Sequence, residues 1–113
     1  LYDRALAGIP GVRAPFRMAG AQHVYHIYCI RVEGDRDAVL RDLHARGIGA
    51  GIHYPIPVHR QAALRDYGWA EGAFPHAEQA ASSIISLPIF PEMTSDQAEE
   101  VAAALAEVMA QHA

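Results

Sequence analysis

The sequence predicts an α/β chain of the α+β type: a small two-layer arrangement of about three mostly antiparallel strands, with helices mainly on one face. Three observations predict it. The run His23 to Glu33 is dense in β-branched and aromatic residues (Val24, Tyr25, Ile27, Tyr28, Ile30, Val32), with apolar groups at both alternating positions, as in a well-buried strand. Thr94-Ser95-Asp96-Gln97 matches a capping box, and behind it Ala98, Val101, Ala102, Leu105, Val108 and Met109 recur at helical spacing. Along the whole chain the order reads strand, helix, strand, short helices, strand, helix. Only the helix between the first two strands is long enough for a crossover, and order alone leaves the sense of pairing open.

Each element has a local reason. Leu1 to Gly8 places apolar residues at 2, 5 and 6 before Gly8, Pro10 and Gly11 stop it, which reads as the end of a longer helix. The chain opens inside this helix without Met, so it is expected to be a fragment. Gly11 to Gly20 shows little periodicity and reads as an extended connector. Asp35 caps the next helix, whose apolar face is Val39, Leu40 and Leu43, whose Arg36, Arg41, Asp42 and Arg46 are expected in water, and which Gly47 ends. Ile48-Gly49-Ala50-Gly51-Ile52 suits a short strand where another backbone or a ligand comes close. Gln61 to Tyr67 predicts a short helix, and Pro75 to Ser83 a second, its proline tolerated in the first turn. Ile84 to Leu87 is the third strand, and Pro88 to Glu92 a turn. There is no internal repeat and no low-complexity stretch.

At 113 residues the chain has the size of one domain, and 51% of it is apolar, a globular composition. The net charge is −4, and the nine arginines are scattered among acids between Arg4 and Arg65, which argues against a nucleic-acid partner. No apolar run approaches the roughly 18 residues of a membrane span, and Leu1-Tyr2-Asp3-Arg4 lacks the order of a signal peptide. Cys29, the single cysteine, sits in an apolar run and reads as a small buried hydrophobe; a reducing cytoplasm fits. The chain contains no lysine.

The densest polar cluster is His53-Tyr54-Pro55-Ile56-Pro57-Val58-His59. Two prolines stiffen it, so its imidazoles and phenol have little freedom to lose on binding. Histidine donates to phosphate or hydroxyl oxygens, and Tyr54 can stack or donate a hydrogen bond. The same spacing equally describes a rigid connector with polar tips in solvent. Seven histidines do not make a metal site here: no pair has i, i+4 spacing with a partner acid, and there is no cysteine pair. His23 and His26 are expected on opposite faces of a strand, at most one of them functional. His44 and His112 are expected in solvent, and His76 near the start of its helix. Ser82, Ser83 and Ser86 lack a nucleophile-elbow sequence, and no phosphate-cradling glycine loop is present.

Taken in order, His23-Val24-Tyr25-His26-Ile27-Tyr28, Ala45-Arg46-Gly47-Ile48, Gly51-Ile52-His53-Tyr54-Pro55-Ile56-Pro57-Val58-His59, Phe74-Pro75-His76-Ala77-Glu78, Ser86-Leu87-Pro88-Ile89 and Pro91-Glu92-Met93-Thr94 through Gln97 resemble the final third of the DegT/DnrJ/StrS sugar aminotransferases. The resemblance spans nearly all 113 residues. It implies the carboxy-terminal small domain of a fold-type I pyridoxal-phosphate enzyme, with residues 1–20 as an interdomain helix end and connector. Such enzymes are usually homodimers that move an amino group from glutamate or glutamine to a nucleotide-linked keto sugar. Their catalytic lysine and phosphate cup belong to the large domain. A chain without lysine cannot hold pyridoxal phosphate as a Schiff base and is expected to be inactive alone. The resemblance places His53, Tyr54 and His59 at the domain cleft as substrate-binding residues and leaves no catalytic, cofactor-binding or metal residue in this chain. Some relatives replace the lysine and dehydrate or regulate instead, so a non-catalytic binding or regulatory module is the alternative. Another fold-type I enzyme is a third reading, which would need an arginine set for a substrate α-carboxylate; none is identifiable.

Overall fold

In the computed structural model, which describes residues 1–113, apolar residues at every second position of Tyr28–Val32 (β2) build one face of a three-stranded sheet. Val12–Arg13 (β1) and Ile84–Leu87 (β3) flank β2, both antiparallel, in the order β1-β2-β3. The register pairs Val12 with Val32, Ile30 with Ile85, Tyr28 with Leu87 and Cys29 with Ser86. Side chains alternate across a strand. Tyr28, Ile30, Val32, Ile85 and Leu87 therefore share the buried face, while Cys29 is half-buried and Arg31 exposed on the other.

The helices pack on the buried face. Ser95–Gln111 (α4) brings Val101, Leu105 and Val108, Arg36–Ala45 (α2) brings Val39 and Leu43, and the single turn Tyr2–Ala5 (α1) adds Tyr2. Leu105, Val108, Val39, Leu43, Ile30 and Ile85 are wholly buried. Each such side chain contributes about 1.5–3 kcal/mol of transfer free energy, so the sheet's inner face and these two helices hold the fold. The caps agree with the sequence. Asp35 Oδ1 accepts from the Ala38 N–H at 2.9 Å, and Thr94 and Gln97 bond reciprocally at 3.2 and 2.9 Å. Pro75–Ser83 (α3) begins on its proline, as expected.

Five expectations are corrected. The strand expected over His23 to Glu33 is confined to Tyr28–Val32: its ladder to β3 ends at the Tyr28–Leu87 pair because Pro88 follows and has no N–H to offer. Val12 and Arg13, expected within the connector, pair with the free edge of β2. Residues 48–52 form no strand. Ile48 and Ala50 turn inward to the core, and only Gly51 reaches Ser86, through two backbone hydrogen bonds of 2.9 and 2.7 Å. The short helix expected from Gln61 is a 3-10 helix, Ala62–Tyr67, preceded by a 3-10 turn at Val58–Arg60.

The fifth correction is Arg36, expected in water but only 8% exposed. Its Nη1 donates to the Ala81 carbonyl at 3.0 Å and the Ile84 carbonyl at 3.2 Å, and its Nε to Asp37 at 2.7 Å. The last carbonyls of α3 lack intrahelical partners, and a guanidinium satisfies them while complementing the helix dipole. The first turn of α2 is thereby tied to the junction of α3 and β3.

Candidate functional site

The chain leaves the sheet after Gly51 and returns to it through α3, so residues 53–74 form an excursion on the less covered face. Within it His53, Tyr54, Ile56, Val58, His59, Trp69 and Phe74 join Ala77, Ala80 and Ile84 around an open hollow of about 530 Å3. The three residues singled out from the sequence, His53, Tyr54 and His59, all line this hollow. Their environments differ. His53 is exposed, and its Nδ1 shares a hydrogen bond of 2.9 Å with the Ser86 hydroxyl on β3. Tyr54 is 71% exposed and meets the His53 ring edge-on at 5.6 Å.

His59 is the inward member, its side chain only 8% exposed. Its Nε2–H donates to Glu78 Oε1 at 2.9 Å, and its ring lies 4.7 Å from Phe74. Glu78 also accepts from the Gly72 N–H, at 2.8 and 3.1 Å. The His59 hydrogen bond, followed by that of Gly72, holds the Glu78 carboxyl below the usual glutamate range. Trp69 meets Phe74 edge-on at 5.6 Å, and Tyr67 stacks on Trp69 at 4.9 Å. The result is an apolar floor with hydrogen-bonding groups at its rim, suited to holding a partly polar molecule.

The remaining histidines and Cys29 stand apart from this hollow. His23 and His26 both precede β2, so the expectation of opposite strand faces falls: the imidazole of His23 stacks on Tyr25 at 4.1 Å and accepts the Tyr25 N–H. His44 and His112 are exposed, as expected, yet each is bonded, His44 Nε2 to the Ala50 carbonyl at 2.7 Å and His112 Nε2 to Asp42 at 2.8 Å. Cys29 is half-buried on the open face of the sheet, and burial pushes its thiol up, away from the reactive thiolate. No three His, Cys, Asp or Glu side chains gather closely enough to hold a metal ion.

Sequence reasoning did not give Ser86, Gly72 or Glu78 a role at the site. Glu78 stood inside the Phe74-Pro75-His76-Ala77-Glu78 run, but an acid 19 positions from His59 carries no local sign of that contact. Ser86 lies 33 positions from His53 and is seen only once the strand register is known.

A model of the DegT/DnrJ/EryC1/StrS aminotransferase family matches residues 1–106. The erythromycin biosynthesis sensory transduction protein EryC1 of Saccharopolyspora erythraea is 38% identical over 104 residues, 92% of this chain and 28% of its own length. The dTDP-3-amino-3,4,6-trideoxy-alpha-D-glucose transaminase of Streptomyces venezuelae is 39% identical over 106 residues, 94% of this chain and 28% of its own. The crystal structure of S. venezuelae DesV in complex with a ketimine intermediate superposes with a TM-score of 0.88 at 39% identity, over 94% of this chain and 28% of that one. The chain thus spans little more than a quarter of the relatives it matches. Its fold is that of a region of these aminotransferases, and with the family matched over residues 1–106 the chain belongs to the DegT/DnrJ/EryC1/StrS aminotransferase family.

Proposed function

We propose that the chain is the carboxy-terminal small domain of a longer pyridoxal-phosphate enzyme that transfers an amino group from glutamate or glutamine to a nucleotide-linked keto sugar, in polysaccharide, glycolipid or antibiotic sugar biosynthesis. The observation that carries the reading is family membership over residues 1–106 combined with coverage of only 28% of relatives such as the S. venezuelae transaminase. The side chains present do not fit the cofactor itself. There is no lysine to bind it covalently, and the hollow offers imidazoles and a phenol but no ammonium. The cofactor's site therefore belongs to a large domain of the same parent, and this chain alone is inactive. The reading also takes the parent to be a cytoplasmic homodimer, as the family resemblance implies. No helix here is long and apolar enough to cross a membrane.

In this reading His53, Tyr54 and His59 border the substrate pocket, holding the sugar or nucleotide without entering the chemical step. Tyr54, 71% exposed, and the free Nε2 of His53 offer hydrogen bonds outward, whereas His59 gives its Nε2–H to Glu78. One neutral hydrogen bond contributes about 0.5–1.5 kcal/mol, so Tyr54→Phe in the full-length protein should raise KM by up to about tenfold and leave kcat and the cofactor spectrum unchanged. Unchanged KM and kcat in the His53→Ala, Tyr54→Phe and His59→Ala variants alike would return the loop to a connector. The sensory-transduction name of the S. erythraea relative favours a second reading, a regulatory module without transaminase activity. The presence or absence of a cofactor lysine in the chain preceding this domain separates the two.

A further inference from the structure

We propose that Glu78 is a positioning residue for the hollow: acting through His59 and Gly72, its carboxylate holds the 53–74 excursion against α3 and sets where His53 and Tyr54 stand. This rests on reading the hollow as a substrate-facing surface. The excursion has little else to hold it. It contains no α-helix and no strand, and no residue of its two 3-10 segments is buried. Tyr54, Ile56, Val58 and Tyr67 are all at least half exposed, so apolar burial among its large side chains is confined to Leu64, Trp69 and Phe74.

Its position depends instead on a few polar tethers. His53 is tied to Ser86 at the near end, and Gln61 bonds back to the Ile56 carbonyl inside the excursion, which anchors nothing to the body. Glu78 alone gathers two distant points: it accepts the Nε2–H of His59 and the backbone N–H of Gly72, 13 positions apart, from the first turn of α3. That helix is fixed at its other end by Arg36, so the tether runs to the sheet and not to another loop. An ionised carboxylate suits this role because it only accepts, and both neighbours donate. A glutamine in its place could still accept from the Gly72 N–H, but it would keep His59 only by donating to the imidazole's other tautomer, and without the carboxylate's charge both bonds would weaken. An aspartate would be a methylene short.

The experiment uses the full-length protein that carries this domain, with Glu78→Gln and Glu78→Ala compared with Gln79→Ala, an exposed neighbour on α3. Amide hydrogen exchange followed by mass spectrometry over the 59–74 segment reports the tether, and steady-state kinetics with a keto-sugar nucleotide report the site. Glu78→Ala should speed exchange of that segment by tenfold or more and raise KM three- to tenfold with kcat within twofold, Glu78→Gln should do both to a smaller extent, and Gln79→Ala should change neither. Unchanged exchange would overturn the proposal, since the tether would then hold nothing. Faster exchange with unchanged KM, in a protein where Tyr54→Phe does raise KM, would overturn it too and leave the substrate-facing reading standing. If Tyr54→Phe and the Glu78 variants all leave KM unchanged, that reading fails and the proposal falls with it.

Discussion

Removing the Arg36 guanidinium should cost about 3 kcal/mol, much more than any exposed arginine. Its Nη1 serves the Ala81 and Ile84 carbonyls at 3.0 and 3.2 Å, and the side chain is buried. A hydrogen bond involving a charged group contributes about 1.5–3 kcal/mol net, and truncation leaves carbonyls at the end of α3 without a partner. The Asp37 contact adds little, because that carboxylate is 67% exposed. Unfolding entropy of about 2.1 cal/mol/K per residue gives about 0.24 kcal/mol/K for 113 residues, so the loss corresponds to a fall in Tm of about 12 °C. Arg36→Met is the informative change, since it keeps much of the volume and removes only the donors; Arg36→Lys should recover less than half, a point charge replacing a fork. Thermal melts by circular dichroism, with Arg41→Ala on the exposed side of α2 as control, provide the measurement. An Arg36→Met melt within about 2 °C of the parent would refute the reasoning, because α3 would then end equally well without the guanidinium.

Three further outcomes follow from the packing. Gly11 sits at φ +72, where an added Cβ would lie 2.8 Å from Met109 Cε, so Gly11→Ala should cost about 1–3 kcal/mol in urea unfolding; Gly49→Ala, with nothing within 4 Å, should be within about 0.5 kcal/mol of the parent. The Tyr28 hydroxyl, at 2.5 Å, is the main cause of a depressed Asp3 pKa. A depressed folded-state value stabilises above the unfolded value of about 3.9 and is lost as pH falls through the folded one, so Asp3→Asn should flatten the loss of stability between pH 5 and pH 2. Val24, Phe16 and Val58, 90, 89 and 74% exposed, leave apolar surface that should bind a hydrophobic dye and promote self-association; scattering from a compact monomer with no dye bound would show that no face lacks a cover.

What the sequence determined by itself is what acts over three or four residues. The Asp35 cap, the Thr94–Gln97 box and the α4 core stripe were legible because helical geometry puts i and i+3 side by side whatever the rest of the chain does. The stiff His53–His59 loop was legible too, since its prolines are local, and the ordered motifs carried the family. Tertiary structure decided the rest. Helical phase alone left Arg36 among the wet residues, and only the arrival of Ala81 and Ile84, 45 and 48 positions later, gave it carbonyls to satisfy. Val12 and Arg13 became a strand because β2 had a free edge, and residues 48–52 did not because the core claimed Ile48 and Ala50. Glu78 met His59 for the same reason. A hydrogen bond between groups distant in sequence depends on where two separate elements are packed, and the burial that packs them is non-directional, so it leaves no mark at either residue.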